Sequence, residues 1–177
     1  MSWQTVVRPV VEEVIRTRAV PGVVIAVAHG DDEPDYLVVG ADGADRLLTV
    51  DSLFPVASIT KPATALVILR LVARGMLKLD DPLARYLPEA AATVDGVTFR
   101  RLLCHTAGLP DDVAGEAAPY TAALDWPTLA KACLTTPLIA PPGTTLRYSN
   151  VGPGLVAIVV ERLTGKPIQQ AIDDLVL

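Results

Sequence analysis

Between positions 53 and 61 the chain runs Leu53-Phe54-Pro55-Val56-Ala57-Ser58-Ile59-Thr60-Lys61, and its character changes midway. Leu53 to Val56 has an extended pattern, whereas Ala63 to Ala73 is apolar almost all the way round. A helix of that composition belongs in the middle of a domain. Ser58 falls where the extended segment passes into this helix, one turn before Lys61. Residues three apart on a helix share a face, with Cβ atoms about 5–6 Å apart, so Lys61 can reach the Ser58 hydroxyl. A serine hydroxyl is a weak nucleophile until a base takes its proton. A lysine is that base only where burial or nearby positive charge lowers its pKa. The helix N-terminus adds partial positive charge and N–H groups that favour a developing oxyanion. The alternative is a capping Ser58 followed by a surface Lys61. With four serines and four lysines in the chain, about 0.1 such pairs arise by chance, and the pair alone leaves both open. Pro62 fits a first helical turn but disfavours α geometry at Lys61.

Toward the N-terminus, Val6, Val7, Val10, Val11, Val14 and Ile15 recur at i, i+4 spacing and predict one apolar face of a first helix, regular from about Pro9. Pro21-Gly22 is a turn. Val23 to Ala28 and Tyr36 to Val39 read as strands joined by a polar loop, an antiparallel hairpin. Toward the C-terminus, Gly75 is placed to cap the apolar helix. Short helical pieces are expected up to Pro88, over Phe99 to Cys104 and over Leu129 to Leu134. Residues 110–127 read as an irregular excursion. Leu155 to Leu163 is a second helix apolar nearly all round, Gly165 ends it, and Pro167 opens a last helix. The outline is α+β, with a sheet too small for the chain.

Tyr148-Ser149-Asn150 follows the hard turn Pro141-Pro142-Gly143 and precedes the second buried helix. Asn150 is the only asparagine in the chain. A phenol shuttles a proton where nearby cations lower its pKa, and an asparagine amide can hold a substrate carbonyl or a lysine. Asn150 also suits a helix N-cap, and the two roles are compatible. His105, in Leu102-Leu103-Cys104-His105-Thr106-Ala107-Gly108-Leu109-Pro110, is read as a helix-end histidine bonding backbone carbonyls rather than a general base. Cys104 is read as a small apolar filler.

Composition excludes several classes. The 177 residues carry 15 basic and 20 acidic side chains, a net charge of −5, with no run of Lys or Arg, which disfavours nucleic acid and anionic membrane surfaces as partners. The two cysteines make no disulfide framework, and His29 and His105 lack metal-site spacing. No apolar run reaches the ~18 residues of a membrane span. The charged N-terminal sequence lacks a signal-peptide core, so a cytoplasmic location is expected. There is no Gly-x-Ser-x-Gly elbow, Walker loop or dinucleotide fingerprint.

Taken together, these motifs resemble the serine β-lactamase-related family: class C β-lactamases, D-Ala-D-Ala peptidases and family VIII esterases. Residues 53–61 look like its nucleophile segment. Gly75-Met76-Leu77-Lys78-Leu79-Asp80-Asp81-Pro82 and Tyr86-Leu87-Pro88-Glu89 look like the stretch that follows. Leu102 to Pro110 is similar to its Leu-Leu-x-His-Thr-Ser-Gly-Leu-Pro signature, with Ala107 for the Ser, and Tyr148-Ser149-Asn150 looks like its second catalytic motif. The resemblance implies an antiparallel sheet flanked by helices, plus a helical subdomain. It makes Ser58 the acylated nucleophile, with Lys61 and Tyr148 sharing general-base and general-acid work. Asn150 orients substrate or Lys61, and the Ser58 backbone N–H is one oxyanion donor. No cofactor or metal is implied. The expected function is an esterase-like serine hydrolase acting on a small ester or amide, then a D-Ala-D-Ala peptidase or β-lactamase. A penicillin-recognising or pseudoenzyme binding module is the reading from another class.

The family's third motif, Lys-Thr-Gly or His-x-Gly on a strand, is not found after Lys166. Residues 1–177 are therefore expected to be the N-terminal part of one β-lactamase-like domain. Helix, hairpin and nucleophile helix occupy about 1–75 and a mostly helical region about 76–177. The incomplete sheet is expected to be finished by a C-terminal companion chain or segment. By analogy, Asp111 to Asp125 is expected to wall the cleft.

Overall fold

The computed structural model describes residues 1–18, 20–90, 94–113 and 125–177. Most of the expected excursion over 110–127, and of the cleft wall it would form, lies outside them. The chain divides into two compact units, Met1–Pro55 and Val56–Leu177. The helix that follows Ser58 lies in the second unit, where its inward face packs on later helices.

In the first unit, α1 (Trp3–Arg18) packs on a hairpin of β1 (Gly22–Val27) and β2 (Asp35–Gly40). The strands are antiparallel, in register from Gly22 opposite Gly40 to Val27 opposite Asp35. The helix starts before Pro9 and runs through it, because the i, i+4 stripe of Val7, Val11 and Ile15 turns inward along its whole length. Val11 is buried, while Val6, Val10 and Val14 are exposed, so the apolar face is narrower than the sequence pattern. Among the described residues the sheet has two strands.

The second unit is helical. A 3₁₀ turn (Ala57–Ile59) leads directly into α2 (Thr60–Ala73). Two further 3₁₀ turns, Leu83–Arg85 and Pro88–Ala90, precede α3 (Phe99–Leu103), α4 (Trp126–Thr135), α5 (Val151–Thr164) and α6 (Ile168–Leu175). The expected helix over 129–134 is thus longer at its start, where the Asp125 carboxylate accepts the Thr128 N–H as an N-cap. Gly75 (φ +71°) closes α2: its N–H donates to Val72 and the Met76 N–H reaches back to Leu71. That pairing satisfies two orphan carbonyls and needs a left-handed residue.

The central element is α5. From Leu155 to Val160 every side chain is buried, among α2, α3, α4 and α6. Each such Val or Leu contributes about 1.5–3 kcal/mol of transfer free energy. Its N-terminal end is thereby held rigidly. By contrast, α2 buries one face only, Thr64, Val67, Ile68 and Leu71, and leaves Leu66 and Leu69 exposed. This corrects the expectation of burial all round. Among the described residues no helix is long and apolar enough to cross a membrane.

Candidate active site

Two loop segments are tied together beside the start of α2. Gly143 N–H donates to Thr106 O at 2.7 Å, Arg147 N–H to His105 O at 2.8 Å, and Asn150 N–H to Asp111 O at 2.7 Å. Ile139 N–H donates to the Gly108 carbonyl at 2.8 Å. Gly108 has φ +79°, and a Cβ there would overlap the Ala140 carbonyl oxygen. Only glycine permits both that backbone and that approach. Ser149 Oγ donates to Pro110 O at 2.6 Å and accepts the Val151 N–H, so it caps α5. These bonds place residues 148–150 at the N-terminus of the most deeply buried helix.

Ser58 lies in the 3₁₀ turn, after Ala57 at the left-handed φ of +44°. A non-glycine residue held there costs about 1–3 kcal/mol. The residue at the N-cap of α2 is Ile59, without a side-chain cap bond, so Ser58 does not cap the helix. Its Oγ is exposed and meets two groups: Tyr148 Oη is 2.6 Å away and Lys61 Nζ donates to it at 3.0 Å. The ammonium also donates to Asn150 Oδ1 at 2.8 Å and lies 4.7 Å from the Tyr148 ring centre. The Lys61 ammonium, then the hydrogen bond with Ser58, holds the Tyr148 phenol below its ordinary pKa. All four residues singled out in the sequence are brought together. Asn150 occupies the N-cap position of α5, yet its side chain makes no cap bond; it turns to Lys61 instead.

His105 differs from expectation. Its Nδ1 accepts the Ser149 N–H at 3.2 Å, and its ring lies 4.6 Å from that of Tyr148 at an angle of 32°. It supports the phenol rather than bonding carbonyls through its ring. Burial first, then the Lys61 charge, holds its pKa below the usual histidine value, which favours the neutral ring that can accept. Cys104 is exposed and fills no core; Cys133 is buried, and burial pushes its thiol up to about 11.

Asp112 is the site residue that motif reading passed over: its Oδ2 accepts from Asn150 Nδ2 at 3.0 Å. A signal for it existed, since an acidic pair follows Pro110 directly, but nothing local ties it to position 150. A cavity of about 310 Å³ opens beside the cluster, lined by Lys61, Thr64, Leu102, His105, Pro153 and Val156 among others.

The Beta-lactamase family profile matches residues 6–177. The chain belongs to the Beta-lactamase family. It is 37% identical to Esterase EstB of Burkholderia gladioli over 94% of this chain and 47% of that protein. It is 35% identical to the D-alanyl-D-alanine-carboxypeptidase/endopeptidase AmpH of Escherichia coli over 71% of this chain and 34% of that protein. Among solved structures, the octameric penicillin-binding protein homologue from Pyrococcus abyssi superposes with a TM-score of 0.82 at 25% identity, covering all of this chain and 42% of that one. This Beta-lactamase family chain therefore spans half or less of the length of these relatives. Its α+β composition, helices and, among the described residues, a two-stranded antiparallel sheet, is the corresponding part of the serine β-lactamase and penicillin-binding protein fold.

Proposed function

We propose that this chain carries the nucleophile side of a serine hydrolase site that cleaves a small ester or amide through an acyl-enzyme on Ser58. The observation that carries the reading is the Ser58 hydroxyl held between the Lys61 ammonium and the Tyr148 phenol, at 3.0 and 2.6 Å. In the first step Ser58 Oγ bonds to the substrate carbonyl carbon and its proton passes to Tyr148 Oη. Lys61 lowers the cost of the phenolate that receives it. The tetrahedral oxyanion is stabilised by backbone N–H donors, that of Ser58 included. As the intermediate collapses, the carbon–oxygen or carbon–nitrogen bond breaks and the proton moves from Tyr148 to the leaving group. Water then attacks the acyl carbon, gives its proton to Tyr148, and Ser58 leaves with that proton restored. Asn150 holds Lys61 in place during both halves.

Esterase activity ranks first because Esterase EstB shares the higher identity over the larger share of this chain. The similarity to AmpH supports a D-Ala-D-Ala peptidase as the second reading. We place residues 1–177 as the N-terminal part of one such domain, with further strands and a second oxyanion donor supplied by polypeptide outside them. A two-stranded hairpin is marginal alone, and α2 leaves Leu66 and Leu69 uncovered. Losing one oxyanion donor costs about 10²–10³-fold in rate.

Treatment with a fluorophosphonate should add one adduct, mapped by mass spectrometry to Ser58 and absent from Ser58→Ala. Turnover of p-nitrophenyl esters over nitrocefin supports the esterase reading, and a burst without turnover points to a binding module. Equal labelling of Ser58→Ala overturns the assignment.

A further inference from the structure

The Asn150 side chain is a bridge between opposite charges. Its Oδ1 accepts from Lys61 Nζ at 2.8 Å and its Nδ2 donates to Asp112 Oδ2 at 3.0 Å. An amide has one accepting and one donating end. An ammonium only donates and an ionised carboxylate only accepts, so the amide spans them in one orientation alone. Turned over, it would set Nδ2 against the ammonium and Oδ1 against the carboxylate, two repulsive contacts. The backbone fixes the bridge independently, since Asn150 N–H donates to the carbonyl of Asp111, the neighbour of Asp112. Asp111 itself pairs with Arg147 at 3.0 Å, while the Asp112 carboxylate, among the described residues, accepts from Asn150.

We propose that Asp112 is a positioning residue for Lys61, acting through the Asn150 amide; this rests on the serine hydrolase reading above and deepens it. Asp112 locks the amide so that its oxygen always faces the ammonium. The ammonium is then held at Ser58 rather than free to sample solvent. The carboxylate also adds a negative charge to a group of titratable neighbours: Lys61 and Tyr148, His105 beside the phenol, Cys133 on α4, and the Asp111–Arg147 pair. Its charge opposes the fall of the Tyr148 pKa that Lys61 and Ser58 produce. Geometry and charge thus make separable predictions.

The test measures acylation of the full protein by an activated ester across pH in wild type, Asp112→Ala, Asp112→Asn and Ser58→Ala. Asp112→Ala removes a hydrogen bond to a charged acceptor, and its plateau rate should fall about 10–100-fold with KM little changed. Asp112→Asn keeps an oxygen that can accept from Asn150 and should retain more of the rate. Both variants lack the charge, so the acidic limb of the profile should move to lower pH in both. A purely structural role would lower the plateau and leave the limb in place. An unmoved limb with wild-type rate in Asp112→Asn and Asp112→Ala, while Ser58→Ala is dead, overturns the Asp112 assignment alone. An active Ser58→Ala overturns both readings, because there is then no nucleophile to position. If Asp112→Ala does not fold, the limb of Asp112→Asn decides.

Discussion

Ser58 and Tyr148 share a hydrogen bond of 2.6 Å although ninety positions separate them in sequence. Neither is buried; the phenol is 46% exposed. The bond therefore depends on backbone placement, with Tyr148 delivered by the tied loops before α5 and Ser58 by the turn before α2. Lys61 joins them from the first turn of α2.

Tyr148→Phe removes the phenol oxygen and leaves the ring to lie on His105. Acylation should slow about 10²–10⁴-fold, the range for acid–base groups. Stopped-flow measurement of the acylation phase checks this. Lys61→Ala removes the leading cause of the lowered Tyr148 pKa, so tyrosinate absorbance from Tyr148 should emerge at higher pH than in wild type. A titration unmoved by Lys61→Ala would contradict the geometry.

His105 makes stability depend on pH in a stated direction. Its pKa is lowered on folding, by burial and by Lys61, so the unfolded chain binds the proton more readily. The contribution is present above about pH 6.5, the unfolded value, and is lost as pH falls through the lower folded value. Protonation also removes the Nδ1 lone pair that accepts the Ser149 N–H. The thermal midpoint of wild type should drop in this window, and the slope there should flatten in His105→Gln. An identical slope in that variant would refute the assignment.

Gly154 lies where α5 meets α4, and a Cβ there would stand 2.5 Å from Cys133 Sγ. Gly154→Ala should destabilise the second unit by about 1–3 kcal/mol, as overpacking does. Cys133→Ala removes the sulfur, so the double variant should be more stable than the sum of the singles by about 1 kcal/mol or more. Chemical denaturation of the four proteins measures the coupling, and strict additivity would argue against the contact.

Much of this was legible residue by residue. The hairpin, the helix-ending Gly75 and Gly165 and the Ser58–Lys61 spacing follow from local rules that need no partner. Helix lengths were less legible: α1 passes through Pro9, and α4 starts at Trp126 because Asp125 caps it. The exposed side of α2 was misjudged because apolar composition cannot say which face finds a neighbour. Asp112 and the support given by His105 were missed because each acts on a residue nearly forty positions or more away.

What the sequence by itself determined is the set of local elements and the chemical types at their ends: a serine one turn before a lysine, and a tyrosine and an asparagine before an apolar helix. Periodicity and turn chemistry act within a few residues, so they are complete in the string. Only the tertiary structure decided that Asn150 turns away from capping α5 to span Lys61 and Asp112, that Tyr148 reaches Ser58, and that His105 lies against the phenol. These follow from hydrogen bonds joining 105–111 to 139–150, and from the burial of α5 that holds one end of them. Such contacts form only after the chain closes loops of tens of residues, and their geometry is set by packing rather than by any local preference.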